Sequence, residues 1–278
     1  MNGSKVWQLS NWEVGIYSSG LIPSYENSIN DELSIYEEFD DLEQRYYYFD
    51  TKFLEYVTPE DNFEEVASII EGMALIGNGA IVLRTKCIQK ILKIDWDNIY
   101  YDSNKVHFPN RNLPISMNPF SIISTSQNTQ VNNNINSILG IVNLSRKHDE
   151  IREILFMIGV VVDIPNINRN ISIWTTLYAI ADTIFYYMEH KYKAREYISI
   201  NRNKHTKDKA LEMINTNKTK YELFARTANN FDYLGVYSRH GKQSSTPPSS
   251  PMLLDDALNF IFSMVDSFFA FCESKNFR

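Results

Sequence analysis

Cysteine is nearly absent from this chain, which has two among its 278 residues. Cys87 and Cys272 each lie within or beside an apolar run, so the sequence indicates neither a disulfide framework nor a cysteine metal site. Residues 1–20 lack a basic segment followed by an apolar core, the mark of a secretory signal. The longest apolar run, ILFMIGVVV at 154–162, is far shorter than the roughly 20 residues that span a bilayer. These absences predict a cytoplasmic protein with no membrane-spanning segment.

Complete catalytic signatures are also missing. The sequence contains no Gly-x-Ser-x-Gly elbow, no His-Glu-x-x-His motif and no glycine-rich phosphate loop followed by Lys-Ser or Lys-Thr. GNGA at 77–80 follows a predicted helix, whereas the dinucleotide fingerprint requires a preceding strand. The acidic run EEFDDLE at 37–43 alternates between two strand faces, which predicts a solvated edge strand and not a cation site. We therefore expect no metal ion and no small-molecule cofactor.

Charge is segregated along the chain, although the net value is only -7 at pH 7. Residues 190–220 hold nine Lys or Arg against three acids, and residues 31–65 hold thirteen acids against two bases. The negative net charge argues against a protein that coats nucleic acid along its length. Two interpretations remain open: solvated faces of two different domains, or complementary surfaces for self-association or for a protein partner.

The N-terminal half has the pattern of strands around one helix. Aromatic and β-branched residues alternate with polar ones in KVWQLSNWEVGIY, LSIYEEF and QRYYYFDTKFLEYV. A helix is predicted to begin at Thr58, with Pro59 in its first turn, and to stop near GNG at 77–79. We predict a strand-rich α+β domain over 1–126, followed by a polar, Asn-rich linker or loop over 127–146.

The C-terminal half, 147–278, is predicted to be helical. Apolar residues recur at helical spacing in four segments, the third of them more polar than the others. Those segments are 147–163, 171–191, 206–228 and 251–272. The sequence therefore predicts an α+β protein that ends in a bundle of about four helices.

One short stretch combines the residue types that a reactive or binding site would use. Arg239 and His240 are adjacent, and they supply a fixed cation and a group that titrates near neutrality. They are the candidate catalytic residues, and the polar residues Asn229, Asn230 and Asp232 are candidates for substrate binding. The structural alternative is that Arg239 pairs with an acid such as Asp232 or Asp255, while His240 caps a helix and Gly241 turns the chain.

Several segments resemble a family of uncharacterised bacterial proteins with the same two-part organisation. They are IGNGAIVL at 76–83, WTTLY at 174–178, FARTAN at 224–229, Arg239-His240 after Gly235, and PMLLDDA at 251–257. A looser resemblance is to the C-terminal domains of abortive-infection proteins, which are similar to HEPN helical bundles. There a His-Gly dipeptide precedes an Ala-rich last helix, as His240-Gly241 precedes LLDDALNF. Many such bundles are ribonucleases that build a shared site across a dimer from an Arg and a His separated by several residues; here Arg239 and His240 are adjacent.

Two functions follow as expectations. The first is a non-catalytic interaction or sensor protein whose helical domain mediates self-association or partner binding. The second is a metal-independent, ribonuclease-like effector of phage defence, in which His240 acts as general acid and base and Arg239 stabilises charge on the phosphate. RNA would be the partner of the second function.

Overall fold

The α+β class is confirmed by the computed structural model, which combines helices with an antiparallel sheet. The structure describes residues 12–17, 33–39, 45–51, 63–86, 92–108, 119–120, 136–163, 169–194, 204–242 and 246–276. The chain divides into two compact units, Met1–Lys147 and His148–Arg278.

Among the described residues of the first unit, five strands form a sheet in the order β2-β3-β1-β4-β5, with every neighbouring pair antiparallel. Their bounds are β1 Trp12–Tyr17, β2 Leu33–Phe39, β3 Arg45–Thr51, β4 Lys93–Tyr101 and β5 Asn104–Lys105. The acidic strand β2 lies at an edge, where charge discourages pairing with other chains. Between β4 and β5, Asp102 and Ser103 both adopt positive φ, the requirement of a tight two-residue hairpin loop.

Helix α1 spans Phe63–Thr85 and carries Glu64 and Glu65 in its first turn. Carboxylates there interact favourably with the positive end of the helix dipole. The predicted stop near 77–79 is wrong, because the helix continues through GNG for two further turns. The Asn78 side chain accepts a hydrogen bond from Leu92 N–H at 2.7 Å and donates one to Leu92 O at 2.8 Å. A Cβ on Gly77 would lie 2.6 Å from Leu92 Cδ1, so glycine lets this residue approach the helix. The predicted cap Thr58 lies outside the described residues.

A second helix occupies part of the segment that the sequence predicts as a linker. Helix α2 spans Ile138–Lys147 and packs against α1. The Ser137 hydroxyl accepts a hydrogen bond from Gly140 N–H at 2.9 Å and so caps the first turn. The linker prediction over 127–146 is therefore corrected for its second half, since the buried residues Ile141, Val142 and Leu144 form an apolar face that α1 covers. Residues 127–135 lie outside the described part of the chain.

The second unit contains six helices among its described residues: α3 Asp149–Asp163, α4 Arg169–His190, α5 Lys204–Met213, α6 Lys218–Ala228, α7 Phe231–Leu234 and α8 Leu254–Asn276. Helix α4 is central, since α3, α5, α6 and α8 all contact it. The prediction of about four helices is too low, because 206–228 is two helices. Asn215 takes a left-handed conformation between them, and Asn217 caps α6 by accepting a hydrogen bond from Lys220 N–H.

In the part of the chain that the structure describes, two helices are long and apolar enough to cross a membrane, α1 and α8. In α1, 89% of the apolar window is buried inside the protein, and in α8 the share is 56%. Length and composition of this kind are weak grounds for a membrane location, because the core helix of a soluble protein has the same properties.

Removal of the Asn78 side chain should destabilise the first unit. In Asn78→Ala the buried N–H and C=O of Leu92 lose the partner that holds them, at a cost of about 2–4 kcal/mol. Urea unfolding followed by far-UV circular dichroism measures the loss, and Ser68→Ala on the same helix is the control. An Asn78→Ala protein as stable as the control would contradict this account of why α1 runs through its glycines.

Candidate functional site

The segment after α6 turns twice within a few residues. Asn229 caps the end of α6, and the backbone N–H of Asn229 donates to Ala225 O. Asn230 then begins α7, since its side chain accepts a hydrogen bond from Tyr233 N–H at 2.9 Å. Gly235 has φ 58, a conformation that glycine adopts without strain, and it opens a short 3-10 helix, Gly235–Tyr237. The chain then reaches Arg239 beside the end of α6.

Arg239 binds helix α4 in two ways. Its Nη2 lies 3.1 Å from Asp182 Oδ2, and its guanidinium carbon lies 4.0 Å from the centre of the Tyr178 ring. Tyr178 and Asp182 are one turn apart, so one planar cation reaches both. The expected pairing of Arg239 with an acid is present, but the acid is Asp182 and not Asp232 or Asp255. Arg239 therefore attaches the turn to α4.

Aromatic side chains pack around Tyr178, the ring that Arg239 contacts. The rings of Trp174 and Tyr178 each stack on buried Phe224, at 6.1 and 6.0 Å between centroids. Tyr221 lies next to them, and burial raises the pKa of its hydroxyl, as do the nearby Tyr178 and Asp182. The cation of Arg239 therefore covers one side of a rigid apolar cluster between α4 and α6.

The three residues predicted to bind substrate have different environments. Asn230 is buried, and its side chain caps α7. Asp232 is exposed in the first turn of α7. The amide nitrogen of Asn229 donates to the Tyr178 hydroxyl at 3.4 Å, while its buried Oδ1 has no hydrogen-bond partner among the described residues. The structure therefore places Asn229, and not Asn230 or Asp232, beside the contact between Arg239 and Tyr178.

His240 is exposed at the end of this turn. The Ser238 hydroxyl donates a hydrogen bond to the backbone oxygen of His240, which shapes the turn. Within the described residues, the imidazole makes no hydrogen bond or ion pair. A general base is normally oriented by a partner on its second ring nitrogen, and the described residues do not include one for His240.

Sequence reasoning missed a group of exposed hydrophobic side chains around Arg239. In the described part of the chain, the exposed large hydrophobic residues are Tyr186, Tyr233, Val236, Tyr237 and Leu253. Tyr186 lies one turn beyond Asp182 on α4, and three of the others belong to α7 and the 3-10 helix. We call Arg239 together with these five residues the Arg239 surface. Tyr186 lies outside the apolar stripe of α4, and this position in the sequence could have identified it as an exposed aromatic side chain.

Two hydrogen bonds bring the segments of the Arg239 surface together at the end of α6. Arg239 N–H donates to Ala228 O at 2.9 Å, and Met252 N–H donates to the hydroxyl of buried Thr227 at 3.1 Å. The chain around Arg239 and the chain before α8 therefore flank the same helical turn. Leu253 directly follows Met252, which is bonded to this turn.

A recess of about 440 Å³ lies between α4 and α5. Its lining consists of Asp182, Phe185, Tyr186, Glu189, His190, Thr206, Lys207 and Ala210. Lys207 Nζ lies 3.6 Å from Asp182 Oδ1 and 4.9 Å from the centre of the Phe185 ring. The rings of Tyr186 and His190 lie 4.6 Å apart. The recess therefore begins at Asp182, the residue that also holds Arg239.

The lysines of the basic segment 190–220 are largely occupied within the second unit. Those with described partners are Lys191 with Glu150, Lys207 with Asp182, Lys209 with Glu212, Lys218 with Asp208, and Lys220 over the Phe260 ring. Arg195, Arg202 and the side chain of Lys204 lie outside the described residues. The described lysines therefore do not form a continuous unpaired strip of the kind that tracks a phosphate backbone.

A second polar cluster lies just beyond the C-terminal end of α4. The carboxylate of fully buried Glu150 accepts hydrogen bonds from Lys191 Nζ at 2.7 and 2.8 Å and from Tyr192 OH at 2.5 Å. His148 Nδ1 lies 3.5 Å from the same carboxylate. Burial alone would raise the pKa of Glu150, but the bonds from His148, Lys191 and Tyr192 outweigh burial and lower it to about 2.

The neighbouring thiol is not reactive. Cys272 is fully buried, and burial raises its pKa to about 12. Since the thiolate is the nucleophilic form, the Cys272 thiol has little chemistry near neutrality. Within the described residues, no three His, Cys, Asp or Glu side chains are grouped so as to hold a metal ion. The cluster around Glu150 therefore holds the chain after α4 against the start of α3.

No protein-family profile, curated protein sequence or solved structure matches this chain.

Substitution of Glu150 should lower stability in a pH-dependent way. The lowering of its pKa from 4.5 to about 2 corresponds to about 3 kcal/mol of free energy of unfolding. This contribution is present above pH 4.5 and is lost as the pH falls towards 2, because protonation then removes the charge that the native state favours. In Glu150→Gln the stability deficit relative to wild type should shrink across that range in urea unfolding.

Glu222→Gln, at an exposed position on α6, is the control for the general effect of removing a carboxylate. A deficit for Glu150→Gln that is the same at both ends of the range would show that the charge of Glu150 does not contribute.

The contact of Arg239 with α4 predicts a structural role that His240 does not share. Arg239→Ala should cost about 1 kcal/mol, because it removes a partly exposed ion pair and a cation–π contact. Arg239→Lys should recover part of this stability, and His240→Ala should leave it unchanged. Thermal and urea unfolding measure all three variants, and a larger loss for His240→Ala than for Arg239→Ala would contradict the assignment.

Proposed function

We propose that this protein is a non-catalytic interaction or sensor protein and that the Arg239 surface is the site at which its helical part binds a protein. The observation that carries the proposal is the clustering of exposed hydrophobic side chains around one anchored turn. Grouped apolar side chains on a surface mark interaction sites, whereas single exposed ones are common.

The composition of the Arg239 surface suits protein binding. Tyrosine and arginine are enriched among residues that contribute most to interface affinity, and three of the five exposed hydrophobic residues are tyrosines. Because Arg239 and the Asn230 cap hold the turn in place, little conformational entropy remains to be lost on binding.

The strand-rich part, 1–126, recognises a partner, while the helical part, 147–278, associates through the Arg239 surface. A bacterial cytoplasmic location belongs to the same proposal and rests on the sequence features alone.

The alternative proposal is a ribonuclease-like effector of phage defence that uses Arg239 and His240. One feature favours it, since His240 is exposed and directly follows a cation. Three features favour the interaction protein instead. Asp182 binds the guanidinium of Arg239, the imidazole of His240 has no orienting partner among the described residues, and the lysines of 190–220 with described partners are bound within the second unit. Phosphate cleavage requires an available cation and an oriented acid or base.

Induced expression in bacteria separates the two functions. Wild type, His240→Ala and Val236→Asp are expressed at equal soluble level, total RNA is examined, and complexes are trapped by chemical crosslinking in the cells. The interaction function predicts intact RNA in every culture and a crosslinked species that Val236→Asp loses and His240→Ala retains. Ser263→Asp, which adds a carboxylate at an exposed position on α8, is the matched control.

Growth arrest with RNA fragmentation that disappears in His240→Ala would overturn the interaction function in favour of the ribonuclease. Intact RNA with the same crosslinked species in wild type and Val236→Asp would show that the Arg239 surface is not the binding site.

A further inference from the structure

The two edges of the sheet in the first unit differ. At one edge, β5 is only two residues long, and a tight hairpin at Asp102 and Ser103 joins it to β4. At the other edge, β2 pairs with β3 at seven consecutive positions without a bulge. Short strands, bulges and prolines protect an edge from further pairing, and β2 has none of them. Among the described residues, no strand pairs with the outer side of β2.

The outer side of β2 presents backbone groups in a regular row. In an antiparallel pair, alternate residues direct their N–H and C=O towards the neighbouring strand, and the residues between them direct theirs away. About half of the seven residues in Leu33–Phe39 therefore direct both groups away from β3. An extended peptide can bind such a row by adding one more strand to the sheet.

The sequence in and around β2 is strongly acidic. Residues 31–43 contain seven Asp or Glu and no Lys or Arg, and Glu37 and Glu38 belong to β2 itself. Residues directly opposite each other across a strand pair have Cβ atoms about 4.5–5.5 Å apart, so a basic residue on an added strand would lie close to these two glutamates. Opposite charges at that distance stabilise the pairing, and like charges destabilise it.

We propose that the outer edge of β2 binds an extended, lysine- or arginine-rich segment of another protein, which adds a strand to the sheet. The inference rests on the proposed function, in which the strand-rich part recognises a partner, and it names the chemistry of that partner. Main-chain hydrogen bonds supply affinity, and the charge of β2 selects a basic segment.

A foreign segment fits this edge better than the chain's own sequence does. Pairing of β2 with β2 of a second copy would place acidic residues close to acidic residues, which disfavours that pairing. The basic segment of this chain, 190–220, is largely helical in its described part, where α5 and the start of α6 lie. The backbone groups of a helix are bonded within the helix and cannot extend a sheet.

A fluorescent peptide of sequence Lys-Ile-Lys-Lys-Val-Lys-Val tests strand addition to the full chain. Two further versions carry N-methyl groups on alternate residues, one at the odd positions and one at the even positions. Only alternate residues of an added strand bond to the edge, so one methylated version should lose about tenfold or more in affinity while the other binds like the parent. Fluorescence anisotropy measures all three dissociation constants, and the protein is unchanged throughout.

Protein variants test the role of charge. Glu37→Gln combined with Glu38→Gln should raise the dissociation constant of the parent peptide about fivefold, because two partly exposed charge pairs are lost. Glu222→Gln combined with Asp256→Asn removes the same amount of charge at exposed positions of the second unit and should have no effect. Circular dichroism verifies that both double variants are folded.

Amide hydrogen exchange locates the bound peptide. Residues 33–39 should exchange more slowly when the peptide is present, since the outward N–H groups of β2 gain bonds. Protection elsewhere, or equal binding by both methylated peptides, would overturn strand addition at β2. Absence of binding by the parent peptide would do the same, and equal affinity of wild type and the Glu37, Glu38 double variant would overturn the preference for a basic partner.

These outcomes are separate from those of the proposed function. Val236→Asp should bind the peptide as wild type does, since Val236 belongs to the Arg239 surface and not to the sheet. Failure of strand addition would leave the crosslinked species that depends on Val236 in place, whereas failure of the Arg239 surface would remove the Val236 dependence and leave peptide binding unchanged.

Discussion

The guanidinium of Arg239 lies between the ring of Tyr178 and the carboxylate of Asp182, and the placement of the chain after α6 depends on this contact. A planar, delocalised cation can stack on a ring and bind a carboxylate at once, which a compact ammonium group does less well. Since both partners lie on one face of α4, a single side chain attaches a whole turn to the central helix. The exposed side chains of 233–237 are presented in a fixed arrangement as a result.

The helices of the second unit pack around α4, and polar contacts add to this apolar packing. Helices α3, α5, α6 and α8 cover it, and the side chains just beyond its end reach buried Glu150. A buried carboxylate is costly unless its oxygens are bonded, and here a lysine and a tyrosine both donate to it. The two polar contacts, at Asp182 and at Glu150, hold the C-terminal half of α4 and the chain just after it to neighbouring segments.

Apolar spacing was sufficient to predict the long helices α3, α4 and α8, because a sustained helical period identifies a buried face without knowledge of what covers it. The same reasoning ended α1 too early at its glycines, where the bonds between Asn78 and Leu92 supply a tertiary reason for the helix to continue. It also joined α5 to α6, although the Asn-rich sequence at 215–217 contained a cap and a left-handed residue. Local signals were present at that break, but helical spacing on both sides concealed it.

By itself, the sequence determined the α+β class, the helical character of the second half and the position of the segment that carries Arg239, since all of these follow from local composition and period. The tertiary structure alone decided that Arg239 pairs with Asp182, that Asn230 is a buried cap and that His240 faces solvent. The reason is that a side chain's partner and exposure depend on which distant elements meet. The spacing of apolar residues along the chain predicts which face of an element is buried. Which other elements cover that face is decided only by tertiary packing.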